Sequence, residues 1–204
     1  TDPCCQIQLG HRVYYLPLTW KTANNPFSLK HLYWFDTNVC IFGKDDSFEF
    51  EQGAMLLTDG RYIYVISDKS GTSTTFLRYD PETSEVKRLA DLPTSNVTRS
   101  GGFHKNDSLY IPFGMVDTVW YLLEYNIVND TWILHNVGVN TSELNIDGNY
   151  LIWKNSKGEK IFSQIYGLNS VSNRNKTVSY GILADYAMSI NIDALQIEKT
   201  VSIV

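Results

Sequence analysis

Forty-six positions separate Ile63 from Leu109, and the same interval carries Tyr79 to Tyr125 and Val86 to Trp132. Around these anchors one pattern recurs: an apolar run, a second run ending in an aromatic, a turn such as Asp80-Pro81-Glu82-Thr83, and a further apolar residue seven positions after the aromatic. A weaker copy lies earlier, where Phe42 follows Phe35 by seven positions. A degenerate one lies later, through Ile146-Asp147-Gly148-Asn149, Tyr150-Leu151-Ile152-Trp153 and Ile165-Tyr166. Within the runs side chains alternate with a period of two, and no stretch sustains apolar residues at i, i+3, i+4 and i+7. The chain is therefore read as all-β, in about four units of roughly 40 to 50 residues.

A unit of this size cannot bury its apolar face alone. An aromatic at the end of one strand and a large residue seven positions on, across a turn, stand on neighbouring antiparallel strands and fill the space between adjacent sheets. This predicts a β-propeller with recognisable blades at 6–52, 53–98, 99–144 and 145–190, and with 191–204 as a strand that closes the ring or pairs with a partner. Arg99-Ser100-Gly101-Gly102, Leu109-Tyr110-Ile111, Tyr125 and Trp132 together resemble a kelch repeat. The stretch from Gly53 to Pro93 is a similar copy, with its Tyr79-Asp80-Pro81-Glu82-Thr83 turn and the closing Leu89-Ala90-Asp91-Leu92-Pro93. The resemblance covers residues 53–137. Kelch propellers usually have more than four blades, so it implies either a small closed ring or part of a larger propeller completed by another chain or by further residues. A hemopexin-type four-bladed propeller is the rival, on the aromatic-Asp strand end Tyr33-Trp34-Phe35-Asp36.

Charge narrows the partners. With 17 Lys+Arg against 22 Asp+Glu the net charge is −5, so no basic field exists to condense on phosphate backbones, and nucleic acid is not expected. No apolar run approaches the ~18 residues of a spanning helix, so this segment is not expected to insert in a membrane. Charged residues are only 19% while Tyr alone reaches 13 copies, which leaves surface polarity to uncharged groups. Five Asn-X-Ser/Thr sequons could supply it as N-glycans, at Asn96, Asn106, Asn129, Asn140 and Asn175. Asn106 and Asn129 fall at expected hairpin turns, and the set points to an extracellular or cell-surface glycoprotein. The three cysteines agree with an oxidising compartment: adjacent Cys4 and Cys5 rarely bond each other, so the expected bridge joins Cys40 to Cys4 or Cys5 and leaves the third thiol for a partner outside this segment.

Chemistry is sparsely signalled. There is no Gly-X-Ser-X-Gly elbow and no Gly-rich phosphate loop before a helix. The histidines His11, His31, His104 and His135 have no zinc spacing with the cysteines, and no metal or cofactor is expected. Asp45, Asp46, Glu49 and Glu51 are the densest acidic cluster, but Glu49 and Glu51 alternate with Phe48 and Phe50 as the solvent face of a strand does. Some kelch-like propellers are copper radical oxidases, and His104 with nearby Tyr110 is the only pair here that evokes such a site. No catalytic residue is assigned. The expectation is a noncatalytic kelch-like module that binds protein or glycan, or mediates assembly, through loops on a propeller face. A secreted carbohydrate-active or copper-oxidase-type enzyme on the same scaffold is one alternative, and a structural subunit of a larger glycoprotein assembly is another. In or beside the loops between second and third strands, Thr19 to Phe27, Ser67 to Thr74, Gly114 to Val119 and Lys154 to Lys160, lie the candidate binding residues Trp20, Phe27, Asp68, Lys69, Asp117 and Trp120.

Overall fold

The computed structural model describes residues 6–16, 31–50, 55–66, 74–95, 97, 102–117, 119–136, 144–145, 150–154, 157–168, 186–191 and 196–202. The described residues are all-β, with strands and turns and no helix. Four antiparallel sheets follow one another along the chain. The first holds β1 (Gln6–Leu9), β2 (Arg12–Tyr15), β3 (Leu32–Asp36) and β4 (Ile41–Asp45). The second holds β5 (Met55–Thr58), β6 (Ile63–Ile66), β7 (Phe76–Tyr79) and β8 (Val86–Arg88), and the third β9 (Phe103–Lys105), β10 (Ser108–Val116), β11 (Val119–Asn126) and β12 (Thr131–Asn136). In each, spatial order equals chain order, so every strand pairs with its sequence neighbour.

One turn recurs between the third and fourth strands. Asp36, Asp80 and Asn126 follow the strand-ending aromatics Phe35, Tyr79 and Tyr125, and each accepts a backbone N–H from inside the turn: Asn38 on Asp36 at 3.0 Å, Glu82 on Asp80 at 2.9 Å and Asn129 on Asn126 at 2.8 Å. Four residues further on, Cys40, Ser84 and Asp130 all take positive φ (55°, 60° and 53°). An Asx side chain that caps the turn and one left-handed residue that reverses it account for the seven-residue spacing from Phe35 to Phe42, Tyr79 to Val86 and Tyr125 to Trp132. Those three pairs face each other across their strands.

The first three sheets stack through one consistent face. On the second sheet Leu56, Ile63, Val65, Leu77 and Tyr79 pack against Tyr14, Leu16 and Leu32 of the first. Its other face, Met55, Leu57, Tyr64, Ile66 and Phe76, packs against Leu109, Ile111, Leu123 and Tyr125 of the third. Alternation along β5, β6 and β7 divides the two sets, which is why these strands read as nearly continuous apolar runs. Each fully buried side chain of this size removes roughly 2 kcal/mol of apolar exposure from water, and a lone four-stranded sheet has no other way to do so. Among the sheets' inner edges, β1 lies beside β5 and β5 beside β9.

In the fourth sheet β13 (Leu144–Asn145) and β14 (Tyr150–Lys154) pair with the two ends of β15 (Lys160–Leu168) along one edge. β16 (Tyr186–Asn191) and β17 (Gln196–Ser202) continue the meander. Of residues 191–204, expected as a closing or partner-pairing strand, Gln196–Ser202 form the outer strand of this sheet. The interval between β15 and β16, residues 169–185, breaks the 46-residue spacing and hid that continuity.

Candidate functional site

Within each of the first three sheets, tight turns gather at one end. They are 10–11 with 37–40, 59–62 with 80–85, and 106–107 with 127–130. Backbone hydrogen bonds tie such pairs together, from Thr37 N to His11 O at 2.8 Å and from Ile127 N to Asp107 O at 2.9 Å. At Gly10 and Asn106 the chain turns in two residues through φ of 59° and 53°, values glycine and asparagine adopt at least cost. Connections from second to third strand, and from one sheet to the next, therefore leave from the opposite end. That end is the candidate binding region.

Of the residues expected to line it, Trp20, Phe27, Asp68 and Lys69 lie outside the described residues. Asp117 is exposed at a turn with φ 48°. The backbone of Trp120 lies within β11 opposite Met115, next to the turn. The expected loop from Gly114 to Val119 is correspondingly two residues long. Met115 pairs with Trp120 and Val116 with Val119, Val97 bridges Gly114, and the Thr94 hydroxyl donates to the Met115 carbonyl at 2.7 Å. These bonds extend the hairpin to its tip. Residues 154–160 prove to join β14 to β15, the first and second positions of their sheet, and the connection between second and third positions there is 169–185.

A polar cluster lies elsewhere, on β10, β11 and β12. Glu124 accepts the Ser108 hydroxyl on Oε1 at 2.7 Å and contacts His135 Nε2 through Oε2 at 2.6 Å, with Tyr110 opposite it across the strands. Burial pushes Glu124 up, but the bonds from Ser108, His135 and Tyr110 outweigh it and hold the carboxyl below its ordinary range. Burial first, then the Glu124 charge, pushes the Tyr110 hydroxyl up to about 12. A nucleophilic relay needs the imidazole between hydroxyl and carboxylate. Here the carboxylate stands between hydroxyl and imidazole, so the Ser108 proton is directed to Glu124 and the cluster satisfies a half-buried acid without activating a nucleophile. Nothing in the sequence pattern joins these residues. Only the cross-strand register does.

His104 and Tyr110 are not brought together. His104 pairs with Leu109, Tyr110 with Phe103, and alternation sends the two side chains to opposite faces. Tyr110 is buried and stacked on Phe103 at 5.0 Å, whereas His104 is exposed. Among the described residues no cluster of three His, Cys, Asp or Glu is arranged to hold a metal. Asn106 and Asn129 are exposed on adjoining turns, while Asn96, Asn140 and Asn175 lie outside the described residues. Cys40 is exposed in its left-handed turn position, and its expected partners Cys4 and Cys5 also lie outside.

Acidic side chains instead hold the sheets to one another. Asp45, at the end of β4, accepts the hydroxyls of Tyr79 and Ser84 from the second sheet. Ala90, after β8, donates its N–H to Asp130 at 2.8 Å and accepts the Trp132 indole N–H on its carbonyl at 2.9 Å. In both cases the end of one sheet's outer strand grips the next sheet's tight turn. No protein-family model and no curated protein matches this chain.

Proposed function

We propose that the chain is a set of kelch-like β-propeller blades from an extracellular glycoprotein, serving as a noncatalytic platform for binding and assembly. The observation that carries this reading is the repeated stacking: the second and third sheets each pack the same face on the sheet before, with inner strands adjacent and outer strands latched to the next turn. Sheets added by such a repeated rotation generate a propeller, whereas two sheets closed face to face generate a sandwich. Tight turns at one end of each of the first three sheets leave the other end for the longer connections, where binding residues concentrate on such scaffolds. The noncatalytic assignment is supported by the order of Ser108, Glu124 and His135 and by the separation of His104 from Tyr110.

Electron microscopy of the purified chain tests the architecture. Sheets arranged radially about one axis are expected, and a flat two-layer particle would overturn the reading. Copper in the purified protein, together with an oxidase activity lost in His104→Ala, would overturn the noncatalytic assignment.

A further inference from the structure

The register of the first sheet sets how far Cys40 lies from the start of β1. Gln6 pairs with Tyr15, Tyr15 with Tyr33 and Tyr33 with Lys44, whereas Leu9, Arg12, Asp36 and Ile41 form the row at the other end. Gln6 therefore stands at one corner of the sheet, and Cys40, immediately before Ile41, stands just beyond the diagonally opposite corner. Three strand spacings across and three to four residue rises along, in a sheet with ordinary twist, put their Cα atoms roughly 16 to 19 Å apart. Cys5 lies within one Cα–Cα step of Gln6, about 3.8 Å, and Cys4 within two, about 7 Å, whatever course the chain takes. The Cα of Cys40 is thus at least about 12 Å from that of Cys5 and about 9 Å from that of Cys4, beyond the limit of about 7 Å for a disulfide.

Neither corner swings to close the gap. Cys40 takes φ 55° at the end of a turn held from both sides. The Thr37 N–H and hydroxyl both donate to the His11 carbonyl at 2.8 Å, and the N–H groups of Asn38 and Val39 donate to Asp36 Oδ1 at 3.0 and 3.4 Å. His11 Nε2 and Arg12 Nε meet the other oxygen of that carboxylate at 3.1 and 3.4 Å. At the far corner β1 is paired with β2 along its whole length and lies beside β5, while Ile7 and Leu9 pack on the core shared by the first and second sheets. Bringing Cys4 or Cys5 to Cys40 requires β1 to leave the sheet, which surrenders that ladder and that packing.

We infer that in the folded chain no bridge joins Cys40 to Cys4 or Cys5, and that any disulfide at Cys40 takes its second sulfur from outside residues 1–204. Cys4, Cys5 and Cys40 are the three cysteines of this sequence, so the segment itself supplies no other thiol. The bridge expected from spacing belongs to a chain whose β1 is detached. Cys40 is exposed, so an external sulfur has access to it. The inference uses the first sheet alone and does not depend on whether the sheets form a ring.

The test uses the whole chain, reduced and then oxidised in a glutathione buffer, once folded and once in urea. The monomer from each is isolated without reductant and mapped by proteolysis and mass spectrometry. From the folded monomer Cys40 is expected as a free thiol or a glutathione adduct. The peptide linking it to Cys4 or Cys5 is expected to be at least about tenfold scarcer there than in urea, where the open loop of about 35 residues lets the ends meet. A linked peptide within tenfold of the urea yield, from folded monomer with an unchanged β-sheet spectrum, would overturn the inference. Absence of the linked peptide in urea as well would overturn it too, because something other than the fold would then keep the thiols apart. Cys4→Ser and Cys5→Ser, tested singly, are expected to give the folded result of the parent chain, and a bridge to the remaining cysteine in either folded variant would contradict the geometry.

Discussion

Asp45 and Tyr79 lie 34 positions apart in different sheets, and the Tyr79 hydroxyl donates to the Asp45 carboxylate. The same carboxylate oxygen accepts the Ser84 hydroxyl at 2.6 Å, while Oδ1 accepts the Ser47 backbone N–H at 2.8 Å. Burial disfavours the charged form, yet the bonds from Ser47, Ser84 and Tyr79 outweigh it and hold Asp45 at about 2. Through this carboxylate the first sheet is fastened to the turn of the second.

That linkage makes the contact sensitive to acid. The folded-state value lies below the ordinary 3.8, so the stabilisation is fully present above about pH 4 and is lost as pH falls towards 2. The difference corresponds to about 2 kcal/mol before solvent screening of a partly exposed group, and about 1 to 2 kcal/mol after it. Asp45→Asn is expected to flatten the acid limb of the stability curve, measured by urea unfolding between pH 2 and 6. An unchanged slope in that window would contradict the assignment.

Tyr125 and Asp130, both in the third sheet, meet where Ala90 of the second sheet reaches the turn. The Tyr125 hydroxyl donates to Asp130 Oδ1 at 2.7 Å, and the same oxygen accepts the Ala90 N–H. Tyr125→Phe removes one bond and leaves Asp130 with another donor, an expected loss of about 1 kcal/mol. Asp130→Ala strands a buried hydroxyl and a backbone N–H together, with an expected loss of about 2 to 4 kcal/mol. The double variant is expected to cost less than the sum, and strict additivity in a double-mutant cycle by chemical unfolding would deny the coupling.

Gly43 is required by a neighbouring ring. Trp34 lies across β4 so closely that a Cβ at position 43 would fall inside its indole, and Arg12 covers the same indole at 4.3 Å. Gly43→Ala must displace Trp34 from the interface with the second sheet, where it is partly buried. A loss of about 1 to 3 kcal/mol is expected, with a red shift of tryptophan emission. Thermal unfolding and fluorescence of this variant check both, and a wild-type melting curve would show that the indole has room to move.

The repeat was legible because its turn is chemically demanding: a capping Asx and a left-handed residue at a fixed distance leave the same trace at Asp80 and Ser84 as at Asn126 and Asp130. The strands around Tyr64 and Leu123 followed from short apolar runs bounded by turn residues. What connects the sheets was not legible, since Asp45 meets Tyr79, and Ala90 meets Trp132, across long stretches of chain that no local pattern links. The Glu124 cluster depends on register in the same way. Gly114 reads as a loop residue, but the backbone bonds of Met115 and Val116 carry the strand past it to the turn at Asp117.

The remaining prediction concerns the sequons at Asn106 and Asn129. Both asparagines are exposed, and their turns adjoin through the bond from Ile127 N to Asp107 O, so two glycans would project from the same end of the third sheet. The third residues of the two sequons differ. Thr131 is exposed, whereas Ser108 is buried and bonded to Glu124. In the folded chain the Asn106 sequon therefore has its hydroxyl withheld, and transfer there must precede closure of the third sheet. Both sites are expected to be occupied when the chain is secreted from a eukaryotic cell, with Asn106 the more variable of the two. Intact mass would then exceed 23.3 kDa by at least two hexosamine-bearing increments. Asn106→Gly is expected to remove one increment while preserving the left-handed turn at φ 53°, and hence the melting temperature. Asn129→Gln should remove the other. A secreted protein at the unmodified mass would remove the glycoprotein assignment and, with it, the main support for an extracellular location.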